Sequence, residues 1–337
     1  MVEGDPRSKG AVPHTDIARL KERIEAFLGS AKVPARLRVV QDTTDYFRVD
    51  YDDILSLGGR HYLIRHYERE GRFGIDEQPK FWVRRAVDLT DGSLKVIKMV
   101  FHERFTTNYG GMVFECVRSP AKEGRILELT AGHPRFMQGI TVADSAGNLV
   151  RVIDYIRGTP YQQYVSALAG DHEEYYYTHL PGLLSEFVEI AGAIAFLHEH
   201  GQTHGDIRRD HIIRDRSDGT CRWVDFDYSC FLRENQFAYD LAGLGNVLLF
   251  LAGGGDVTTQ QLTREGSPAL GHLGPEDMNI IFRNRVANLR KVYPYISEEL
   301  NYVLMHFSCG ARAYYRTTGE LVDDLHEALK RTEKEIL

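Results

Sequence analysis

The sequence predicts an α+β protein of two lobes, β-rich first and helical second. Three observations lead to that class. Between residues 59 and 156, short apolar runs are divided by Gly, Asp and Pro turns, as in strands that bury a face. Beyond residue 157, apolar residues recur three and four apart, as on helices packed against a core. A chain of 337 residues, 43% apolar and 26% charged, is long enough to fill two cores. Strands gathered ahead of helices, rather than alternating with them, give α+β.

Taken in order, residues 1–14 are polar, carry two prolines and read as loose chain. Ile17, Leu20, Ile24, Phe27 and Leu28 then keep helical spacing up to a stop at Gly29. This helix, with the rest of residues 1–58, is expected to form an N-terminal extension. Strands follow at 61–68 and 81–89, and Asp91-Gly92 turns the chain into a third at 94–100. Ser119-Pro120 supplies the cap and first-turn proline of a helix that Gly132-His133-Pro134 stops. A strand at 149–156 closes the first lobe, 59–156. In the second lobe, 157–337, Leu184, Phe187, Ala191, Ile194, Ala195 and His198 line one face of a helix ending at Gly201. Residues 240–252 are apolar all round, which suits a helix packed on every side. Ser297 caps another helix, and an amphipathic one runs from Glu320.

Composition excludes several classes. Net charge is −7 with no sustained Lys/Arg run, which argues against a nucleic-acid partner. The opening Met1-Val2-Glu3-Gly4-Asp5 has no apolar core, so a signal peptide is not expected. The longest apolar stretch, 241–252, is too short to span a bilayer, and no membrane partner is expected. Cys116, Cys221, Cys230 and Cys309 form no CxxC pair and suggest reduced thiols in a cytoplasmic protein rather than a disulfide frame or zinc site.

The chemistry concentrates in His204-Gly205-Asp206-Ile207-Arg208-Arg209-Asp210-His211 and, thirteen residues on, Asp225-Phe226-Asp227. One carboxylate lies in a polar loop and the second beyond a hairpin whose strands are Ile212-Ile213 and Trp223-Val224. Val96-Ile97-Lys98, Ile153-Asp154-Tyr155-Ile156 and Tyr239-Asp240-Leu241 stand around them in a fixed order. From about residue 60 to the end, this order resembles the protein-kinase-like superfamily, of a bacterial, atypical type with a short activation segment. The resemblance implies a two-lobed kinase-like fold, ATP with Mg²⁺ or Mn²⁺, and phosphoryl transfer to a hydroxyl.

It also implies roles. Asp206 would orient the acceptor hydroxyl, and Arg208 would clamp a phosphate where the family carries Lys. Asp225 would hold the metal, since hard oxygen suits Mg²⁺. Lys98 would grip the α- and β-phosphates with Glu123, one turn into the helix after Ser119, as its partner. Gly71 and Gly74 keep two of three glycines of the phosphate-covering loop, with residues 75–80 as an added stretch. Asp154 and Ile156 would bind adenine through backbone groups, and Asp240 would hold the catalytic loop. His204 would pack on Phe226 and is not expected to act as a base. Each residue also has a plainer reading, such as a turn-forming Asp or a solvated Arg or Lys, and their shared order favours the chemical one.

Two positions depart from the pattern. His211 stands where the family has Asn, and Asp227 where it has Gly. Three outcomes are open: a site with one metal, a site in which Asp227 supplies the missing oxygen, or a pseudokinase that has lost the metal. On the acceptor side, only fourteen residues separate Asp225 from Asp240, with no Ala-Pro-Glu among them. Gly205 replaces the Arg that would answer a phosphorylated loop. Protein Ser/Thr leads as acceptor without activation-loop control. The alternatives are a small molecule, as in aminoglycoside or choline kinases, and a nucleotide-binding scaffold.

Overall fold

The computed structural model describes residues 17–72, 75–109, 111–168 and 170–336. Helix α1 (Ile17–Leu28) leads to strands β1 (Val39–Val40), β2 (Ile54–Leu57), β3 (Arg60–Arg72), β4 (Ile75–Asp88) and β5 (Leu94–Lys98). Next come β6 (Arg104–Tyr109), β7 (Met112–Arg118), α2 (Pro120–Leu129), β8 (Gly139–Ala143), β9 (Leu149–Asp154) and β10 (Gly158–Pro160). Helices α3 (Tyr161–Leu168), α4 (His172–Thr178) and α5 (Leu180–Glu199) precede β11 (Ile212–Asp215), β12 (Cys221–Trp223) and β13 (Tyr228–Phe231). Helices α6 (Ala238–Ala252), α7 (Thr259–Arg264), α8 (Glu298–Met305) and α9 (Thr318–Ile336) complete the chain. The described residues fall into two compact units, the first within 17–100 and 141–153 and the second within 101–140 and 154–336.

The first unit is built on a seven-stranded sheet in the order β1-β2-β3-β4-β5-β9-β8. Alternation along the strands sorts side chains to two cores. Leu55, Leu57, Tyr62, Ile64, Ile97 and Met99 share one cluster. Ile54, Leu63 and Leu89 meet Leu20 and Ile24 of α1, four residues apart on one helical face, in the other. The boundary expected at residue 59 is therefore absent, because α1, β1 and β2 belong to the same sheet and its covering layer. The stretch 75–80 is not an added loop but the first half of β4, paired with β3. Gly71 lies in β3, and Gly74 falls outside the described residues.

The second unit holds the helices and two small sheets, β10-β11-β12 and β13-β7-β6. The β6–β7 hairpin was not legible as strands. It leads directly into α2, where Ser119 accepts a bond from Lys122 N–H at 3.3 Å and Pro120 fills the first turn, as expected. α5 buries Leu184, Phe187, Ala191 and Ile194, and α6 is buried nearly all round. Among the described residues, α5 alone is long and apolar enough to cross a membrane, a stretch longer than 241–252; more than half of it is buried as core. Cys116 on β7 and Cys230 on β13 are directly opposed in register and joined by a disulfide. That corrects the expectation of reduced thiols for two of the four cysteines; Cys221 and Cys309 are free. Residue spacing alone could not reveal the pair, because 114 residues separate its members.

Candidate active site

The β11–β12 hairpin explains how two carboxylates far apart in sequence come together. Ile212 pairs with Trp223, so the residue before β11 and the residues after β12 return to the same end. Trp223, 1% exposed, fixes that end by donating its indole N–H to the Ile190 carbonyl at 3.0 Å. Val224 N–H then donates to the His211 carbonyl at 2.9 Å. As a result Asp206, His211 and Asp225 converge: His211 Nδ1 lies 3.5 Å from Asp206 Oδ2 and His211 Nε2 lies 3.7 Å from Asp225 Oδ2.

The bonds around His211 select its tautomer. Nδ1 is 2.9 Å from the backbone oxygen of Asp206, which can only accept, so Nδ1 carries the proton. In the neutral ring the Nε2 lone pair then faces the Asp225 carboxylate. Asp225 itself has φ 61°, one of two non-glycine residues in the left-handed region among those described. Such a conformation persists only where the surroundings impose it, and it collects at working sites. Among the described residues no three His, Cys, Asp or Glu side chains form a ready metal cage. A nucleotide-bound cation does not need one, because phosphates and water supply most of its ligands.

Asp240, at the start of α6, holds the loop as anticipated. Its carboxylate accepts from His204 N–H and Gly205 N–H, each at 2.7 Å, and from His198 Nε2 at 3.0 Å. Burial works to raise its pKa, but the His198 bond and the neighbouring positive charge, Lys122 included, together keep it below the usual range. His198 is fixed in turn by the Thr318 hydroxyl at 2.9 Å. His204 is fully buried and meets Phe226 edge-on with ring centroids 5.9 Å apart. Burial, chiefly, pulls its pKa down to about 3, so it stays neutral and structural.

The remaining expected residues fall in several places. Arg208 pairs with Asp210, its Nε at 3.0 Å and Nη2 at 2.5 Å from the carboxylate. Arg209 turns away into a bidentate pair with Asp256, both bonds 2.8 Å. Lys98 at the end of β5 is 2% exposed, and Glu123 in α2 is fully buried. Asp154 closes β9 with its N–H on the Gln138 carbonyl at 2.8 Å, and Ile156 follows beyond the strand.

Asp227 is buried beside a guanidinium. It is 2% exposed, and its Oδ2 lies 3.4 Å from Arg118 Nη1. Arg118 is itself enclosed, donating to the Tyr228 hydroxyl at 2.6 Å and lying 3.6 Å from Glu103 Oε2. A carboxylate committed to a buried guanidinium is poorly placed to replace an oxygen ligand.

Sequence reading missed Lys122. Its Nζ donates to the His204 carbonyl at 2.8 Å and to the Tyr228 carbonyl, deep inside the unit. The clue was available: Lys122 shares a helical face with Ile126, which is fully buried.

Neither a protein-family model nor a curated protein matches the sequence. Among solved structures, the chain is similar to the kinase domain of PknI from Mycobacterium tuberculosis, with a TM-score of 0.46 and 15% identity over 81% of this chain and 97% of that one. A cysteine-to-alanine mutant of the same domain gives 0.46 and 14% over 79% and 95%.

Proposed function

We propose that the chain is an ATP-dependent phosphotransferase acting on a hydroxyl, with protein Ser/Thr as acceptor. The observation that carries this reading is the convergence of Asp206, His211 and a left-handed Asp225 at one end of a hairpin, on a loop clamped by Asp240. Asp206 orients the acceptor hydroxyl and takes its proton as transfer proceeds. Arg208, steadied by Asp210, offers its guanidinium to a phosphate oxygen. Asp225 through a carboxylate oxygen and His211 through Nε2 fit a divalent ion, Mg²⁺ or Mn²⁺, which when bound neutralises phosphate charge. Asp227 is outside that set. Lys98 grips the α- and β-phosphates with Glu123 as partner, Gly71 contributes its backbone amide, and Asp154 and Ile156 take adenine through backbone groups; these roles rest on the resemblance of their motifs.

For a protein acceptor, the supporting observation is a cavity of about 870 Å³ in the helical unit, lined by Leu232, Phe237, Leu241, Phe307 and Tyr315. The chain leaving β13 forms one of its walls. The fourteen residues between Asp225 and Asp240 favour the second reading, a small-molecule acceptor.

The test is transfer of the γ-phosphate, autophosphorylation included, by wild type and Asp206→Asn with Mg²⁺ and with Mn²⁺. Transfer that Asp206→Asn abolishes is expected. Tight ATP binding with no transfer, unchanged by the substitution, would leave a nucleotide-binding scaffold. Intact ATP binding by Lys98→Ala would remove Lys98 from the phosphate grip.

A further inference from the structure

Lys122 has no part in the chemistry just described, yet it is among the most deeply enclosed charges in the helical unit, 3% exposed. Its surroundings are unusual for an ammonium. The two groups that accept its bonds are both backbone carbonyls, of His204 and Tyr228. The first belongs to the loop that carries Asp206. The second follows Asp225 by three residues. The acids around it, Asp240, Asp227, Glu123 and Asp206, compensate its charge without replacing those two carbonyls as partners.

The two carbonyls meet at that one cation. The His204–Gly205 stretch turns with φ 83° at Gly205, which brings the Tyr228 oxygen so close that a Cβ on Gly205 would lie 1.8 Å from it. Two backbone segments in contact at that range point their oxygens toward the same small space. One ammonium with three donors satisfies both and binds the segments together. On the other side of the same peptide, Asp240 accepts the His204 and Gly205 N–H groups. The His204–Gly205 peptide is therefore held at both poles, its N–H by a carboxylate and its carbonyl by an ammonium, and the preceding peptide's N–H joins the same carboxylate. Because Lys122 stands in the first turn of α2, the position of that helix is tied to the loop and to the segment after Asp225.

We propose that Lys122 is a positioning residue for phosphoryl transfer, a buried cation that fixes the Asp206 loop and the post-Asp225 segment at one spacing. It does by an internal charge what a switchable modification would otherwise do, and it leaves the segment set without any modification. The assignment rests on the phosphotransferase reading above.

The experiment compares Lys122→Met with wild type for kcat, KM for ATP and amide hydrogen exchange across residues 204–206 and 228–230. A loop displaced by about 1 Å loses on the order of 100-fold in rate. The expected result is a kcat lower by about that factor, KM within about threefold, and exchange at least about tenfold faster in both segments. Unchanged kcat in a folded Lys122→Met protein, or kcat lost in step with ATP affinity, overturns the proposal. Should Lys122→Met give no cooperative urea transition, Lys122→Arg is read instead. Its longer, forked cation keeps the charge but not the point of attachment; a lower kcat at unchanged KM supports the assignment and a wild-type kcat overturns it. Asp206→Asn, run in parallel, separates the two ideas. If wild type transfers no phosphate, the functional reading falls, and exchange alone then decides whether Lys122 fixes the loop.

Discussion

Gly205→Ala isolates the tightest contact in the site. Gly205 has φ 83°, a region where a Cβ costs about 1–2 kcal/mol. The added carbon would also meet the Tyr228 carbonyl, 1.8 Å from its oxygen and 2.6 Å from its carbon, both backbone atoms that cannot rotate aside. To reach ordinary contact the carbonyl must withdraw by roughly 1.5 Å, and overpacking of this kind costs about 1–3 kcal/mol. Withdrawal also breaks its bond to Lys122, a charge-assisted interaction of about 1.5–3 kcal/mol. These terms overlap, and about 4 kcal/mol is expected, a large share of the ~5–15 kcal/mol that holds a typical domain. Urea unfolding followed by tryptophan fluorescence measures it as a lower midpoint at unchanged slope. A shift below about 1 kcal/mol, with transfer activity retained, would refute the close approach of Gly205 to Tyr228 and the clamp argued from it.

Two further predictions address the same region. Replacing Cys116 and Cys230 by Ser opens a loop of 114 residues and is expected to cost about 4 kcal/mol in urea melts, with a dithiol reductant giving the same loss in wild type; identical midpoints with and without reductant would exclude the bridge. Burial lowers the Lys122 pKa from 10.5 to about 8, against its acidic neighbours, so the folded state binds fewer protons than the unfolded one between those values. Stability contributed by this group therefore rises as pH climbs from about 8 to 10.5, by roughly 3 kcal/mol, and that rise should be missing from Lys122→Met.

What the sequence revealed and what it hid divide along physical lines. The Ser119-Pro120 helix start, the all-round apolar α6 and the hairpin between His211 and Asp225 are local patterns, set by caps and periodicity, and they were legible. Asp240 was legible too, but through the resemblance of Tyr239-Asp240-Leu241 to a kinase-family motif rather than from a local physical pattern. The Cys116–Cys230 bridge and the Arg118–Asp227 pair depend on β13 lying beside β7, a pairing across more than a hundred residues that no local signal encodes. Gly205 shows the difference most clearly. From sequence it reads as the loss of an arginine that would answer a phosphorylated loop. In the fold it is a position with no room for any side chain, because the Tyr228 carbonyl occupies the space.

The two departures from the kinase pattern prove to be of different kinds, and substitution should separate them. His211 lies between the two carboxylates, its Nδ1 3.5 Å from Asp206 Oδ2 and its Nε2 3.7 Å from Asp225 Oδ2. Asp227 lies beneath it, pairing Arg118 through its side chain while its carbonyl accepts the Ser119 N–H at 2.8 Å at the entry to α2. Imidazole nitrogen favours Mn²⁺ over Mg²⁺ relative to an amide oxygen. His211→Asn is therefore expected to weaken Mn²⁺ binding with ATP about tenfold, read from the free Mn²⁺ signal in electron paramagnetic resonance, with little change for Mg²⁺ or in stability. Asp227→Asn should do the reverse. It strips a buried guanidinium of one anionic partner, which costs about 2–4 kcal/mol while Glu103 remains, and it leaves the Mn²⁺ signal unaltered. If Asp227→Asn weakened Mn²⁺ binding as much as His211→Asn did, Asp227 would have to turn from Arg118 toward the ion, and the separation of site from scaffold drawn here would be wrong.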